Sequence, residues 1–347
     1  LVEGKAVMEE ALTAIRSGQA PVDLALQLIE ANAWMAYVTG LVPRTQALLA
    51  EAEQLLATAE TGDDTRALIL RLRGTMEQVH GDTHGALATF EEAVSLISES
   101  TPSGLVARLH LDVGACHERL GQQDAARTSF RTTLAMGREL GDPYTLARAY
   151  IFLASLEQAE NPKRCLVLLD EGQAVCDEHG LQHLAIYFPL IAGQAFLNLD
   201  DAASAQAAFD RGMELASSVG QLMSIAASHV GLGECAVQLG DADAATEHLV
   251  EGIRASVQTD CMPYLLWAAV VASDLVLRRN PTSSEARDML RVVTRHPGLT
   301  LAMKPRAEHV MSSHSVEASP DVQASSAEVE VAVHDLGERL LELLRFG

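Results

Sequence analysis

The chain has 347 residues, 48% of them hydrophobic but only 4% aromatic, and a formal net charge of −22. That charge argues against direct nucleic-acid binding, since phosphate contacts need clustered Lys and Arg; it reads as a solvated surface, or alternatively as a face for a basic partner. No run approaches about 20 uncharged apolar residues, so no membrane-spanning helix is expected. The five cysteines (Cys116, Cys165, Cys176, Cys235 and Cys261) are odd in number and irregularly spaced, and the N-terminus lacks a basic stretch followed by an apolar run, which together predict reduced thiols and a cytoplasmic setting.

In chain order, residues 1–20 read as an amphipathic helix carrying Val7, Ala11, Leu12 and Ile15 on one face. It would be the end of a preceding repeat or a cap, and a chain that opens at Leu1 inside such a pattern is expected to be a piece of a longer protein. Pro21-Val22-Asp23 starts the first helix-turn-helix unit, with proline where a first helical turn tolerates it. Units follow at about 22–60, 64–100, 105–143, 143–180, 181–220, 221–260 and 262–296, so that 21–296 forms one block of seven repeats. The third is the plainest: Leu105, Leu109, Val113 and Cys116 line one face of its first helix, Leu120-Gly121 makes the turn, and Ala126, Phe130, Leu134 and Leu140 line the second helix. Gly141-Asp142-Pro143 ends it. The fourth is irregular, with the turn Asn161-Pro162, while the fifth and sixth are expected to be regular. Beyond Pro297 the period is lost: 297–312 is a closing segment with a short helix, 313–326 is a Ser-, Ala-, Val- and Pro-rich flexible linker, and 327–347 is a last amphipathic helix carrying Val331, Leu336, Leu340, Leu343 and Leu344. That helix is expected to cap the array, with an interface to another domain or chain as the alternative.

A small residue in the first helix of each unit measures the repeat: Ala33, Gly74, Gly114, Ala154, Gly193, Gly233 and Ser273, at intervals of 39 to 41 residues. Seven residues after each stands a turn former: Gly40, Gly81, Gly121, Asn161, Asp200, Gly240 and Asn280. Nine further on comes a bulky apolar residue (Leu49, Phe90, Phe130, Phe209, Leu249 and Met289), with Asp170 the exception. A glycine inside a helix costs about 1 kcal/mol relative to alanine, which close helix crossing would offset. Such a period marks a repeat array.

The pattern resembles the tetratricopeptide repeat (TPR), with Gly or Ala at the helix crossing, Leu120-Gly121 to Ala126 at the turn and Phe130 in the second helix, repeated as Leu239-Gly240 to Ala245. The period is longer than the 34 residues usual for that family. The resemblance implies an all-α, right-handed TPR-like superhelix of about seven helix-turn-helix repeats with terminal capping helices. The long repeats further resemble the C-terminal sensor arms of bacterial regulators: signal-transducing ATPases with numerous domains (STAND), maltose-regulator-type activators and antibiotic-pathway activators. That likeness implies nucleotide-binding and DNA-binding domains outside this chain and a role in transcription regulation.

No catalytic constellation stands out: there is no GxxxxGK[ST] loop, HExxH or GxSxG, and Gly231-Leu232-Gly233 lies within a repeat helix. Cys176, His179 and His183 have a metal-like spacing, but Gly180 separates the two histidines, so no metal, cofactor or enzymatic activity is expected. Binding is the natural role of stacked helix pairs, whose first helices line the inner face. The period places on that face Arg108, Arg148, Tyr187 and Trp267 six residues before the small residue, and Arg71 three before. Trp34, Gln194 and Glu234 come one after, and Tyr37, Gln78, Glu118 and Gln158 four after. Arginines grip carboxylate or phosphate bidentately and aromatic rings stack on apolar groups, so these residues are a candidate groove for a small-molecule, peptide or protein ligand, centred on units two to five with Arg108, Arg148, Gln158, Tyr187 and Gln194. The competing reading pairs the arginines with nearby Asp and Glu and uses the aromatics as filler between repeats. The expected function is a ligand- or partner-binding sensor arm, the alternative a protein-interaction scaffold holding a peptide or helix; a peptide-pheromone receptor or an enzyme accessory arm are more distant options.

Overall fold

The computed structural model describes residues 21–38, 41–80, 82–97, 103–296, 298–299, 303–317 and 333–346. The expected N-terminal helix at 1–20 and most of the expected linker, 318–326, lie outside them. The described residues are helical, in the order α1 (Val22–Val38), α2 (Val42–Thr58), α3 (Asp63–Val79), α4 (Thr83–Leu96), α5 (Gly104–Arg119), α6 (Gln123–Leu140), α7 (Pro143–Glu160), α8 (Pro162–His179), α9 (Gln182–Ala185), α10 (Tyr187–Leu197), α11 (Ala202–Val219), α12 (Leu222–Leu239), α13 (Ala242–Gln258), α14 (Met262–Arg279), α15 (Ser284–Arg295), α16 (Lys304–Ser313) and α17 (Val333–Phe346). The chain forms two compact units, residues 1–145 and 146–347.

In the first unit α1 packs on α2, α3 on α4 and α5 on α6, and the first helices touch in succession, α1 with α3 and α3 with α5. The second unit repeats the arrangement with α10 on α11, α12 on α13 and α14 on α15, and with α10, α12 and α14 in succession. Its core runs from Ile186 to Leu344 and takes in α17, whose Leu336, Leu340, Leu343 and Leu344 are buried with residues of α13 and α14.

The pairing is set at the helix crossings. The ring of Phe90 lies so close to Gly74 that a Cβ there would sit 2.6 Å from the phenyl edge, and Phe130 leaves still less room at Gly114. Phe209 occupies two such sites, Gly193 of α10 and Gly231 of α12, and Leu249 fills the equivalent place at Gly233. All four plugs are completely buried. Side-chain caps then fix the helix starts: Asp82, Asp201 and Asp241 accept from the backbone N–H three residues on, at 2.8, 3.0 and 3.0 Å. The preceding ends close through the left-handed region, at Gly240 (φ 81°) and, without glycine, at Asp200 (φ 58°). At Gly240 the following Asp241 N–H reaches back to the Ala236 carbonyl at 2.9 Å, which satisfies a carbonyl the helix end would orphan.

The fifth pair departs from the regular unit expected. Its first helix is split into α9 and α10 around Ile186. Pro189 explains the break, because it lacks an N–H and its ring collides with the carbonyl four residues earlier, that of Ala185. The missing plug at Asp170 has its own solution: Asp170 is exposed, and Phe188 and Tyr150 close on Gly172 of α8 instead.

Gly114→Ala should test the crossing. The new methyl gains about 1 kcal/mol of helix propensity but forces the Phe130 ring to move, an overpacking cost of about 1–3 kcal/mol. Its melting temperature should fall below wild type, and Phe130→Leu should cost less in the Gly114→Ala background than alone. Thermal unfolding followed by circular dichroism checks both.

Candidate functional site

In the first unit three successive first helices bring together a polar cluster: Glu30 and Trp34 from α1, Arg71 from α3, Arg108 and Asp112 from α5. Arg71 is 3% exposed. Its Nε donates to Asp112 Oδ2, its guanidinium carbon lies 4.3 Å from the centre of the Trp34 ring, and its buried Nη2 has no hydrogen-bond partner. Stacking on the indole suits a planar cation. An unfilled buried N–H costs about 1–3 kcal/mol, so Arg71 carries donor capacity that the fold does not use. Burial and the neighbouring Arg71 guanidinium together push Arg108 below the usual guanidinium range, with Glu30 and Asp112 acting against them. Burial raises the Glu30 carboxyl, opposed by Arg71 and Arg108.

Tyr37 stands beside Trp34, ring centres 5.4 Å apart. Gln78 Nε2 donates to the Cys116 sulfur at 3.0 Å, and burial pushes the Cys116 thiol up to about 11. Thr75, at the same offset as Trp34, ties its hydroxyl to the Arg71 carbonyl at 2.9 Å. Six of the expected groove residues fall in this unit, and five of them, Trp34, Tyr37, Arg71, Gln78 and Arg108, make or feel contacts in this neighbourhood. The sixth, Glu118, sits in the last turn of α5, where burial raises its carboxyl to about 7 against the pull of Arg119.

The second unit holds the remainder. Tyr187 accepts through its hydroxyl oxygen from Gln221 Nε2 at 3.0 Å. Arg148 lies with its guanidinium carbon 6.0 Å from the Phe152 ring centre. Gln158 is buried, with no partner for its side-chain oxygen, while its backbone carbonyl accepts from Asn198 Nδ2 at 2.6 Å. Trp267 is not a groove-lining ring: it is 1% exposed and packs on Phe209 with ring centres 5.9 Å apart. Only its indole N–H faces a polar partner, donating to Glu234 Oε2 at 2.6 Å. Glu234 also faces Arg306 at 3.3 Å, and Arg306 Nη2 donates to the Gln194 carbonyl and to Asn198 Oδ1, both at 2.9 Å. Periodicity missed Arg306 and Asn198, since the one lies past the end of the period and the other in a turn.

Of the metal-like trio, Cys176 is buried while His179 and His183 are exposed on either side of Gly180, which caps α8 in the left-handed conformation. Among the described residues no helix is long and apolar enough to cross a membrane.

Glu118 gives a pH test. Unfolded, the group releases its proton near 4.5; folded, it holds it to about 7. Between those values the folded state binds more protons, so stability falls as pH rises and levels off above about 7. Glu118→Gln removes that slope: the melting-temperature difference, wild type minus variant, should decrease from pH 4.5 to 7.5, and a constant difference would refute the assignment.

No protein-family model and no curated protein matches this sequence. Solved structures match it at low identity. A Rap protein complexed with competence and sporulation factor shares 13% identity over 98% of this chain and 94% of its own, with a TM-score of 0.65. The Rap conjugation gene regulator of plasmid pLS20, in complex with the Phr* peptide, shares 12% over 87% and 100%, with a TM-score of 0.55. The STAND protein PH0952 from Pyrococcus horikoshii, which has a tetratricopeptide-repeat sensor, shares 12% over 90% of this chain, with a TM-score of 0.59; the match covers 51% of that protein. Helix pairs stacked through small-residue crossings, a 40-residue period and these neighbours make the chain an all-α helical repeat of the tetratricopeptide type.

Proposed function

We propose that this chain is the ligand-binding arm of a larger bacterial, cytoplasmic regulator of the STAND or transcriptional-activator kind, and that its ligand is a peptide. The observation that carries the reading is Arg71, a buried arginine on the inner row of helices with an unfilled N–H and a half-buried second arginine, Arg108, beside it. A peptide's carboxylate would fill the donor, bridge the two guanidinium groups and relieve their mutual repulsion, with Trp34 and Tyr37 offering apolar contact alongside. The likeness to the repeat sensor of PH0952 supports the regulatory setting, with nucleotide-binding and DNA-binding domains supplied from outside these residues. The two Rap complexes support a peptide over a sugar or nucleotide. A ligand held this way signals only if it binds one arrangement of the repeats better than another. Glu118, Arg148, Gln158, Tyr187, Gln194 and Glu234 are further candidates for contact along the inner rows.

A plain interaction scaffold is the second reading, favoured by the same peptide complexes. Recovery of one stoichiometric protein partner that Arg108→Ala does not weaken would favour it.

The test uses N-acetylated pentapeptides ending either in a free carboxylate or in an amide. The acids should bind and the amides should not. Arg108→Ala, which truncates a half-buried side chain, should weaken acid binding about tenfold or more (about 1.4 kcal/mol) with the melting temperature preserved. Equal binding of acids and amides, or no loss in the variant, would sink the proposal; isothermal titration calorimetry reads both.

A further inference from the structure

The second unit contains a binding site of opposite chemistry, already filled by the chain itself. Arg306, on α16, packs locally against α14 and α15, yet its guanidinium reaches two other elements: Glu234 on α12 and the Gln194 carbonyl of α10, with Asn198 just beyond α10. The receiving groups are held in place without it. Glu234 is fixed by the Trp267 indole N–H at 2.6 Å, and Asn198 is fixed by donating to the Gln158 carbonyl at 2.6 Å. Three acceptors aimed at one planar cation and secured from behind form a preorganised guanidinium receptor.

The occupant is as buried as the receptor, its side chain 14% exposed against 12% for Glu234, but it sits at the edge of open space. Within α16 only Ala307 is fully buried, with Val310 and Met311 packed on the core, and Arg306 borders a solvent-open cavity of about 840 Å³. That cavity carries four carboxylates, Asp200, Asp201, Glu234 and Asp274, against the two arginines Arg278 and Arg306. Arg278 is itself engaged by Asp274 at 3.1 Å. Space, acidic lining and a receptor held by its own supports fit an incoming arginine better than a helix whose role is only to fill the core.

We propose that Glu234, Asn198 and the Gln194 carbonyl are a receptor for an arginine side chain, that Arg306 is its built-in occupant, and that an arginine-bearing peptide binds by exchanging places with it. Tethering gives Arg306 a high effective concentration, so a partner needs both the guanidinium and contacts along the acidic cavity to win. The proposal is independent of the Arg71 site in the first unit.

The probes are acetyl-Lys-Pro-Arg-Ala-Glu-amide, which copies residues 304–308, and its counterpart with alanine for arginine. Arg306→Ala should bind the arginine peptide at least tenfold more tightly than wild type does, and the alanine peptide at least tenfold more weakly than the arginine peptide. Adding Glu234→Gln should abolish the gain. In the wild-type chain, which needs no variant to fold, excess arginine peptide should speed amide hydrogen exchange at 304–313, and the alanine peptide should not. An arginine-free acid pentapeptide should leave exchange at 304–313 unchanged, which separates failure here from failure of the first-unit site. Equal binding of the two peptides to Arg306→Ala, or no effect of the arginine peptide on exchange at 304–313, would overturn the proposal.

Discussion

Phe90, Phe130 and Phe209 each press a ring onto a glycine of the facing helix, and Leu249 does the same at Gly233. Only the absence of a Cβ lets the two backbones approach this closely. The gain is dispersion and burial over a whole phenyl group, which offsets the roughly 1 kcal/mol that glycine costs inside a helix. Where the plug recurs with the period, at Gly74, Gly114, Gly193 and Gly233, first and second helix meet through the same contact. Residues at fixed offsets from the small residue therefore emerge in rows, and the polar cluster of the first unit draws on several of them across α1, α3 and α5: Glu30 and Arg71 three before it, Arg108 six before, Trp34 one after. The candidate site inherits its geometry from an apolar contact that lies behind it.

This dependence explains what the residues could tell in advance. Offsets from the small residue put Trp34, Arg71 and Arg108 on the inner face because period and stacking are properties of the backbone, though they centred the groove on later units. They could not say how deep each side chain sits. Trp267 occupies the same offset as Arg108 but is driven into the core by the apolar helix around it. Arg306 was out of reach for another reason: it pairs with Glu234 across 72 residues, from a segment where the period has ended. The split of the fifth first helix has its signal in Pro189, which the period of the neighbouring units does not reveal.

The two polar centres use arginine in contrary ways. Arg71 is locked by Asp112 and Trp34 and keeps a donor in reserve, so what it lacks is an acceptor. Glu234 and Asn198 have a cation supplied from their own chain. Both arrangements cost folding energy, since buried charges repay desolvation only when geometry and hydrogen bonding are good. A buried charge left with spare capacity, or satisfied from a distant segment beside open space, is the kind of local exception that marks a working surface in an otherwise consistent fold.

The net charge of −22 gives these centres different kinetics. At physiological salt, fields decay over about 8 Å, so a ligand feels the acidic surface before it meets any arginine. An anionic ligand approaches uphill, and its encounter rate rises as salt screens the repulsion. A cationic ligand is drawn in, and its encounter rate falls with added salt. Ionic strength therefore shifts the balance of arrival between the two chemistries, even where the contacts made on docking stay the same.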